Sequence, residues 1–221
     1  MNAFWNLAGA ALIGYMMGSL PIGYVLVYLF KGEDLRRNGS GRTGGSNAMR
    51  AAGVWVGVLT GIGDMAKGAG AIWIVRALVA DPAMLPWAQV LGGALTVVGH
   101  NWSIFLGWKG GAGTGPNVGV TAAFSPPLAI VLIVLGIATL LLTGYASMIS
   151  LVIAVAIPVG LGIVAASGAG SWIHPLYGLM TAAAVFYALR PNIKRLKAGT
   201  ERMIGPRAKA RRRWEQSNQP R

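Results

Sequence analysis

Residues 147–166 read SMISLVIAVAIPVGLGIVAA, twenty positions without one ionisable side chain. At 1.5 Å per residue, a helix of this length spans the hydrocarbon layer of a bilayer, about 30 Å. Comparable apolar runs cover Phe4–Phe30, Val54–Val79, Leu85–Trp108, Pro127–Thr143 and Trp172–Leu189. Of 221 residues, 54% are hydrophobic and 11% charged, with a mean hydropathy of +0.57. Soluble domains carry about 25% charged residues, and no soluble core in a chain this short buries six such runs. The sequence therefore predicts an all-α, polytopic integral membrane protein. The first run is no secretory signal, because it lacks a basic start and is too long. With no cysteine, disulfides, thiolate nucleophiles and thiolate metal sites are excluded. No His, Asp and Glu combination has metal-ligand spacing, so neither metal nor cofactor is expected.

The net charge is +13, and its placement predicts topology. Lys31, Arg36, Arg37, Arg42 and Arg50 lie between the first two runs, and Lys109 follows the third. Lys67 and Arg76 lie within the second, and the other basic residues fall between Arg190 and Arg221. Cytoplasmic loops collect Lys and Arg, which places the first loop, the Lys109 region and the tail inside. The amino terminus and the Asp81–Pro86 turn then lie outside. An even number of crossings must connect Lys109 to Arg190. Gly113–Phe124, bounded by Ser125-Pro126-Pro127, supplies the missing one as a short helix, giving seven crossings; five, with a re-entrant segment, is the alternative. The sequence divides into one membrane-embedded unit, 1–199, and a basic tail, 200–221. The tail's KARRRWEQ (residues 209–216) suits anionic lipid headgroups, at about 1 kcal/mol per basic residue, or simply enforces orientation. Nucleic acid is not an expected partner.

Two glycine-rich segments share the cytoplasmic side: GSGRTGGSN (residues 39–47) and KGGAGTGPN (residues 109–117). Glycines let consecutive backbone N–H groups converge on an anion, and nearby cations add charge-assisted bonds to phosphate. Neither segment is a P-loop or a dinucleotide fingerprint. They are connectors or a phosphate site. Asp64 and Lys67, at i,i+3 spacing, share one face of the second apolar helix. They form a structural pair or line a polar pocket. His100 and Asn101 come late in the third run, His174 reads as structural or interfacial, and Pro21 kinks the first helix.

Several stretches together resemble one family. They are GSLPIGY, DLRRNGSGRTGGSNAMRAAG, DMAKG, GHNWSIFLGWKGGAG and RPNIKRLKAG, in that order from about Gly18 to Gly199. They resemble the signatures of the bacterial acyl-phosphate:glycerol-3-phosphate acyltransferases, the PlsY family. The resemblance implies a seven-helix enzyme of the cell membrane with its site at the cytoplasmic face. It moves a fatty acyl group from acyl phosphate to the 1-hydroxyl of glycerol 3-phosphate, giving lysophosphatidic acid and phosphate for phospholipid synthesis. It also implies Ser40, Arg50 and Lys109 as catalytic residues. Arg42, Thr43, Asn47, Asn192, Lys194, Asp64, Lys67 and His100 become substrate-binding positions. Four residues depart from the family pattern. Ala112 and Leu189 replace its lysine and histidine, Arg42 an asparagine, and Gly144 a basic residue. The alternative is a silent or altered relative that binds lipid or phosphate, or a small anion transporter.

Overall fold

The computed structural model describes residues 3–217. Residues 1–2 and 218–221 lie outside the described residues, as do the side chains of Lys209, Arg211, Arg212, Glu215 and Gln216. Much of the lipid-headgroup reading of the tail therefore falls outside what is described. The described residues form eleven α-helices and no strand. These are α1 (Ala3–Ser19), α2 (Ile22–Lys31), α3 (Gly45–Ala52), α4 (Val54–Leu78), α5 (Leu85–Asn101) and α6 (Thr114–Phe124). There follow α7 (Pro126–Thr143), α8 (Ala146–Ala166), α9 (His174–Ala188), α10 (Arg190–Lys197) and α11 (Gly205–Ser217).

Four segments among the described residues are long and apolar enough to cross a membrane: Ala3–Lys31, Val54–Leu78, Pro126–Thr143 and Ala146–Ala166. The shorter α5, α6 and α9 pack among them. The outward faces carry bare aliphatic and aromatic side chains, including Leu29, Trp55, Val131, Val134 and Ile163. Such a surface suits lipid, not water. The buried centre joins Ile72 of α4, Val90 of α5, Val118 and Val120 of α6, Leu132 of α7, Ile153 and Ile157 of α8 and Tyr177 of α9. Tyr177 donates its hydroxyl to Asn117 Oδ1 at 2.6 Å, so the one polar atom of that ring is satisfied.

Two of the expected helices are shorter than their apolar runs. The Leu85–Trp108 run stops being helical at Asn101. A 3₁₀ turn, Ile104–Leu106, follows, and then two left-handed residues, Gly107 and Trp108. The expected kink at Pro21 is a full break between α1 and α2, because proline has no N–H to continue the ladder. Neighbouring helices satisfy the carbonyls freed there. Ser103 Oγ donates to Ser19 O at 2.6 Å and Lys67 Nζ to Leu20 O at 2.7 Å.

Helices α1 and α5 pack backbone to backbone. Gly14 and Gly18, one turn apart, lie on the α5 backbone, where a Cβ at either would sit 2.7 Å from the carbonyl carbon of Gly92 or Thr96. Small residues at four-residue spacing let apolar helices approach this closely. Gly18→Val is expected to cost about 2–3 kcal/mol by overpacking, read as a lower unfolding midpoint in detergent. Gly9→Ala, with open space around its Cβ, is expected to leave the midpoint unchanged or raise it.

Candidate functional site

The two glycine-rich segments lie side by side. Thr43 N–H donates to Gly110 O at 3.4 Å, Arg42 Nη1 to Gly111 O at 2.9 Å, and Arg36 Nη1 to Leu106 O at 3.3 Å. Arg36 is itself held by Asp34 at 2.7 Å. The hydrogen bonds from that guanidinium pull the Asp34 carboxyl down to about 2. The ion pair consequently survives acidification through the usual carboxylate range and is lost as pH falls through about 2.

Asn47 of α3 organises the first segment. Its Nδ2 donates to Asn38 O and Arg42 O, both at 2.9 Å, and to Leu35 O at 3.3 Å. Its Oδ1 accepts from Ser40 N–H at 3.0 Å and Arg50 Nη2 at 3.1 Å. The amide is thus taken up by the loop itself, although its position borders the cleft. Arg50 Nη2 reaches Ser40 Oγ at 3.3 Å, bringing together two of the expected catalytic residues.

These residues wall a cleft of about 590 Å³. Its polar end presents Ser40, Arg42, Arg50, Asn192, Arg195 and Arg202; its apolar end runs between α7 (Leu132, Ile133, Ile137) and α8 (Ile149, Ile153). Burial lowers the pKa of both Arg42 and Arg50. The charge of Arg195 adds to this for Arg42, that of Arg202 for Arg50, and Glu201 opposes it in each case. Both remain cations, so the polar end is a crowded positive field.

Not every expected residue lies there. Lys109 and Lys194 are exposed and do not line the cleft. The left-handed backbone at Gly107 and Trp108 sets the course of the chain into Lys109. Thr43 is buried against the Gly110 strand of the loop, outside the cleft lining. Lys67 is also behind the wall. It sits 3.1 Å from Asp64 Oδ1 and donates to His100 Nδ1 at 3.0 Å as well as to Leu20 O. Asp64 and His100 do border the cleft, at its base. With Nδ1 accepting from Lys67, the imidazole proton belongs on Nε2.

Three contributors went unread in the sequence: Arg195, Glu201 and Arg202. Glu201 accepts from Asn192 Nδ2 at 2.8 Å, Arg195 Nε at 2.8 Å and Ser147 Oγ at 3.3 Å, and Arg202 donates to Gly39 O. The available signal was isolation, since Glu201 is the one acidic residue between Asp81 and Glu215. The four departures lie in or beside the cleft. Ala112 and Leu189 both line the cleft beside Arg42. Gly144 is left-handed, with φ 75°, and its carbonyl accepts from Ile204 N–H at 2.7 Å, which seats the segment that carries Glu201.

The family model described as glycerol-3-phosphate acyltransferase matches residues 8–199. A glycerol-3-phosphate acyltransferase of Desulforudis audaxviator is 35% identical over 189 residues, covering 86% of this chain and 91% of that protein. One from Rubrobacter xylanophilus is 36% identical over 198 residues, covering 89% and 94%. Among solved structures, the glycerol 3-phosphate form of PlsY, an integral membrane glycerol 3-phosphate acyltransferase, superposes with a TM-score of 0.77. It is 30% identical, with 90% of this chain and 96% of that one covered. The lysophosphatidic acid form gives 0.75 at 29% identity, with 90% and 95% covered.

The buried ion pair sets a test of stability. Lys67→Met leaves Asp64 without its partner and is expected to cost about 3–5 kcal/mol. Adding Asp64→Leu is expected to restore most of that, measured as unfolding midpoints in detergent.

Proposed function

The chain belongs to the glycerol-3-phosphate acyltransferase family, and we propose that its cleft transfers a fatty acyl group from an acyl phosphate to the 1-hydroxyl of glycerol 3-phosphate. It is an integral membrane acyltransferase of phospholipid synthesis. The observation that carries the detailed reading is the two-ended cleft. Four arginines crowd one end, and aliphatic side chains of α7 and α8 line the other. Such a cavity suits a pair of phosphates beside an acyl chain.

An acyl phosphate is already activated, so no acyl-enzyme is needed. The 1-hydroxyl oxygen bonds to the acyl carbon while the carbon–oxygen bond to phosphate breaks. The hydroxyl proton passes to a phosphate oxygen, and inorganic phosphate departs. The protein's work is to align the two anions within about 3.5 Å and to balance their charge. Ser40 and Arg50 grip one phosphate, while Asn192, fixed by Glu201, orients its partner. Asp64, Lys67 and His100 support the base of the cleft. Lys109 and Lys194 act at a distance, drawing anionic reactants by their field instead of by contact.

The chain crosses the bilayer seven times in this reading, through α1–α2 together, then α4, α5, α6, α7, α8 and α9. Alternate junctions support it. Residues 32–44, 102–113, 144–145 and 189–204 meet around the cleft. Contacts between the other junctions, such as Arg76 to Ala123 O and His174 stacked on Phe124, gather elsewhere. The amino terminus then lies outside and the basic tail in the cytoplasm, near anionic headgroups.

Purified protein given palmitoyl phosphate and glycerol 3-phosphate is expected to release phosphate only when both are present. Folded protein that binds both without turnover would overturn the reading in favour of a silent relative. Arg50→Ala removes charge-assisted bonds of about 1.5–3 kcal/mol, so kcat/KM is expected to fall about ten- to hundredfold. His100→Ala is expected to leave the shape of the pH–rate profile unchanged; loss of a limb at unchanged fold would make His100 the base.

A further inference from the structure

Arg42 begins on the turn before α3, yet its guanidinium ends on the opposite wall. Nη1 donates to Gly111 O at 2.9 Å, and Nη2 to Asn192 Oδ1 at 3.1 Å and to Ala188 O. Those two carbonyls belong to the residues just before Ala112 and Leu189, and both of these line the cleft. A guanidinium has five N–H groups. Three meet protein acceptors, leaving Nε–H and the second Nη1–H without one among the described residues.

Every acceptor on Arg42 is neutral. The nearby carboxylate, Glu201, is engaged by Arg195, Asn192 and Ser147. Elsewhere Arg36 has Asp34 and Arg195 has Glu201 within salt-bridge distance. Arg42 has no such partner among the described residues, although it is partly buried. A charge withdrawn from water is costly without a counter-ion. Arg50 is more exposed but likewise has no carboxylate within salt-bridge distance among the described residues, where it donates to Ser40 Oγ and Asn47 Oδ1. Of the four arginines at this end only Arg195 has an ion-pair partner among the described residues, so Arg42, Arg50 and Arg202 leave it with an excess of positive charge for the two anions the reaction brings.

We propose that Arg42 holds the second reactant phosphate, supplying from the first glycine-rich loop a positive charge beside the apolar positions 112 and 189. This rests on the acyl-transfer reading above. The guanidinium lies against the backbone beside Ala112 and Leu189, so its charge reaches the region that those two side chains border. Positions 42 and 112 are therefore alternative origins for a cation in the same part of the cleft.

The test uses the full chain in detergent, with phosphate release from palmitoyl phosphate and glycerol 3-phosphate as the readout. Wild-type turnover is measured alongside, so a failure of the acyl-transfer reading is seen separately. Arg42→Asn is expected to lose a hundredfold or more in kcat/KM in protein that remains folded. Adding Ala112→Lys is expected to return at least tenfold, which a purely structural arginine would not allow. Arg42→Asn within threefold of wild type, or a folded double variant with no recovery, overturns the proposal. If Arg42→Asn does not fold, Arg42→Lys decides. A KM raised fivefold or more with kcat retained supports the proposal, and unchanged kinetics overturn it. Without wild-type turnover, inorganic phosphate is the probe, read as protection against thermal unfolding. In an Arg50→Ala background, protection that persists after Arg42→Asn or Arg42→Lys overturns the proposal, and its loss supports it.

Discussion

A membrane interior offers no water to satisfy a loose polar group, and Lys67 is where this fold meets that constraint. Its ammonium has three hydrogens and three partners: the carbonyl freed by Pro21, the carboxylate of Asp64, and the ring of His100. One side chain thereby closes a break in the first span, neutralises a buried acid and fixes a tautomer. The three partners come from the α1–α2 break, α4 and α5. The geometry at the base of the cleft follows from this node, because Asp64 and His100 present their remaining surfaces to the cavity. Burial of this kind adds little net stability, yet removing one member leaves the others stranded. It specifies an arrangement more than it strengthens one.

The polar end of the cleft is assembled from connections and short helices. Its walls are the loop before α3 with α3 itself, the segment before α6, and α10 with the residues after it. Each is tied to another by side-chain to backbone bonds, such as Arg36 to Leu106 O and Arg42 to Gly111 O. The apolar part is left to the helices, where α7 and α8 need only remain aliphatic. This division matches the medium: charge lies where loops can reach it, and hydrocarbon lies where lipid already is.

Much of this architecture was legible in the sequence, because uncharged runs and clustered cations carry strong signals in a bilayer. The helices at 54–78, 126–143 and 146–166 follow their apolar runs closely. Charge placement put the two glycine-rich segments on one side, while their contact came from the structure. Side-chain destinations were not. Lys109 and Arg42 each sit in a glycine-rich cationic stretch, yet Lys109 is exposed outside the cleft while Arg42 bridges two walls. Glycine-rich backbone leaves direction open, and a short deviation such as the left-handed pair at Gly107 and Trp108 decides it. Glu201 was overlooked for another reason. Its value lies in partners at Ser147 and Asn192, a separation in sequence that no local pattern encodes.

The wall carried by Glu201 and Arg202 also bears on when the protein becomes competent. Translation delivers every apolar helix through α9 before it reaches residue 201, and the earlier spans are free to insert and associate by then. Asn192 and Arg195 nevertheless wait for their carboxylate, and the Gly39 carbonyl for its guanidinium. A ribosome-bound chain halted just short of that point would be a nearly complete bundle with an unfinished polar chamber. Maturation of the site is thus a late event of biosynthesis, separable in time from membrane insertion.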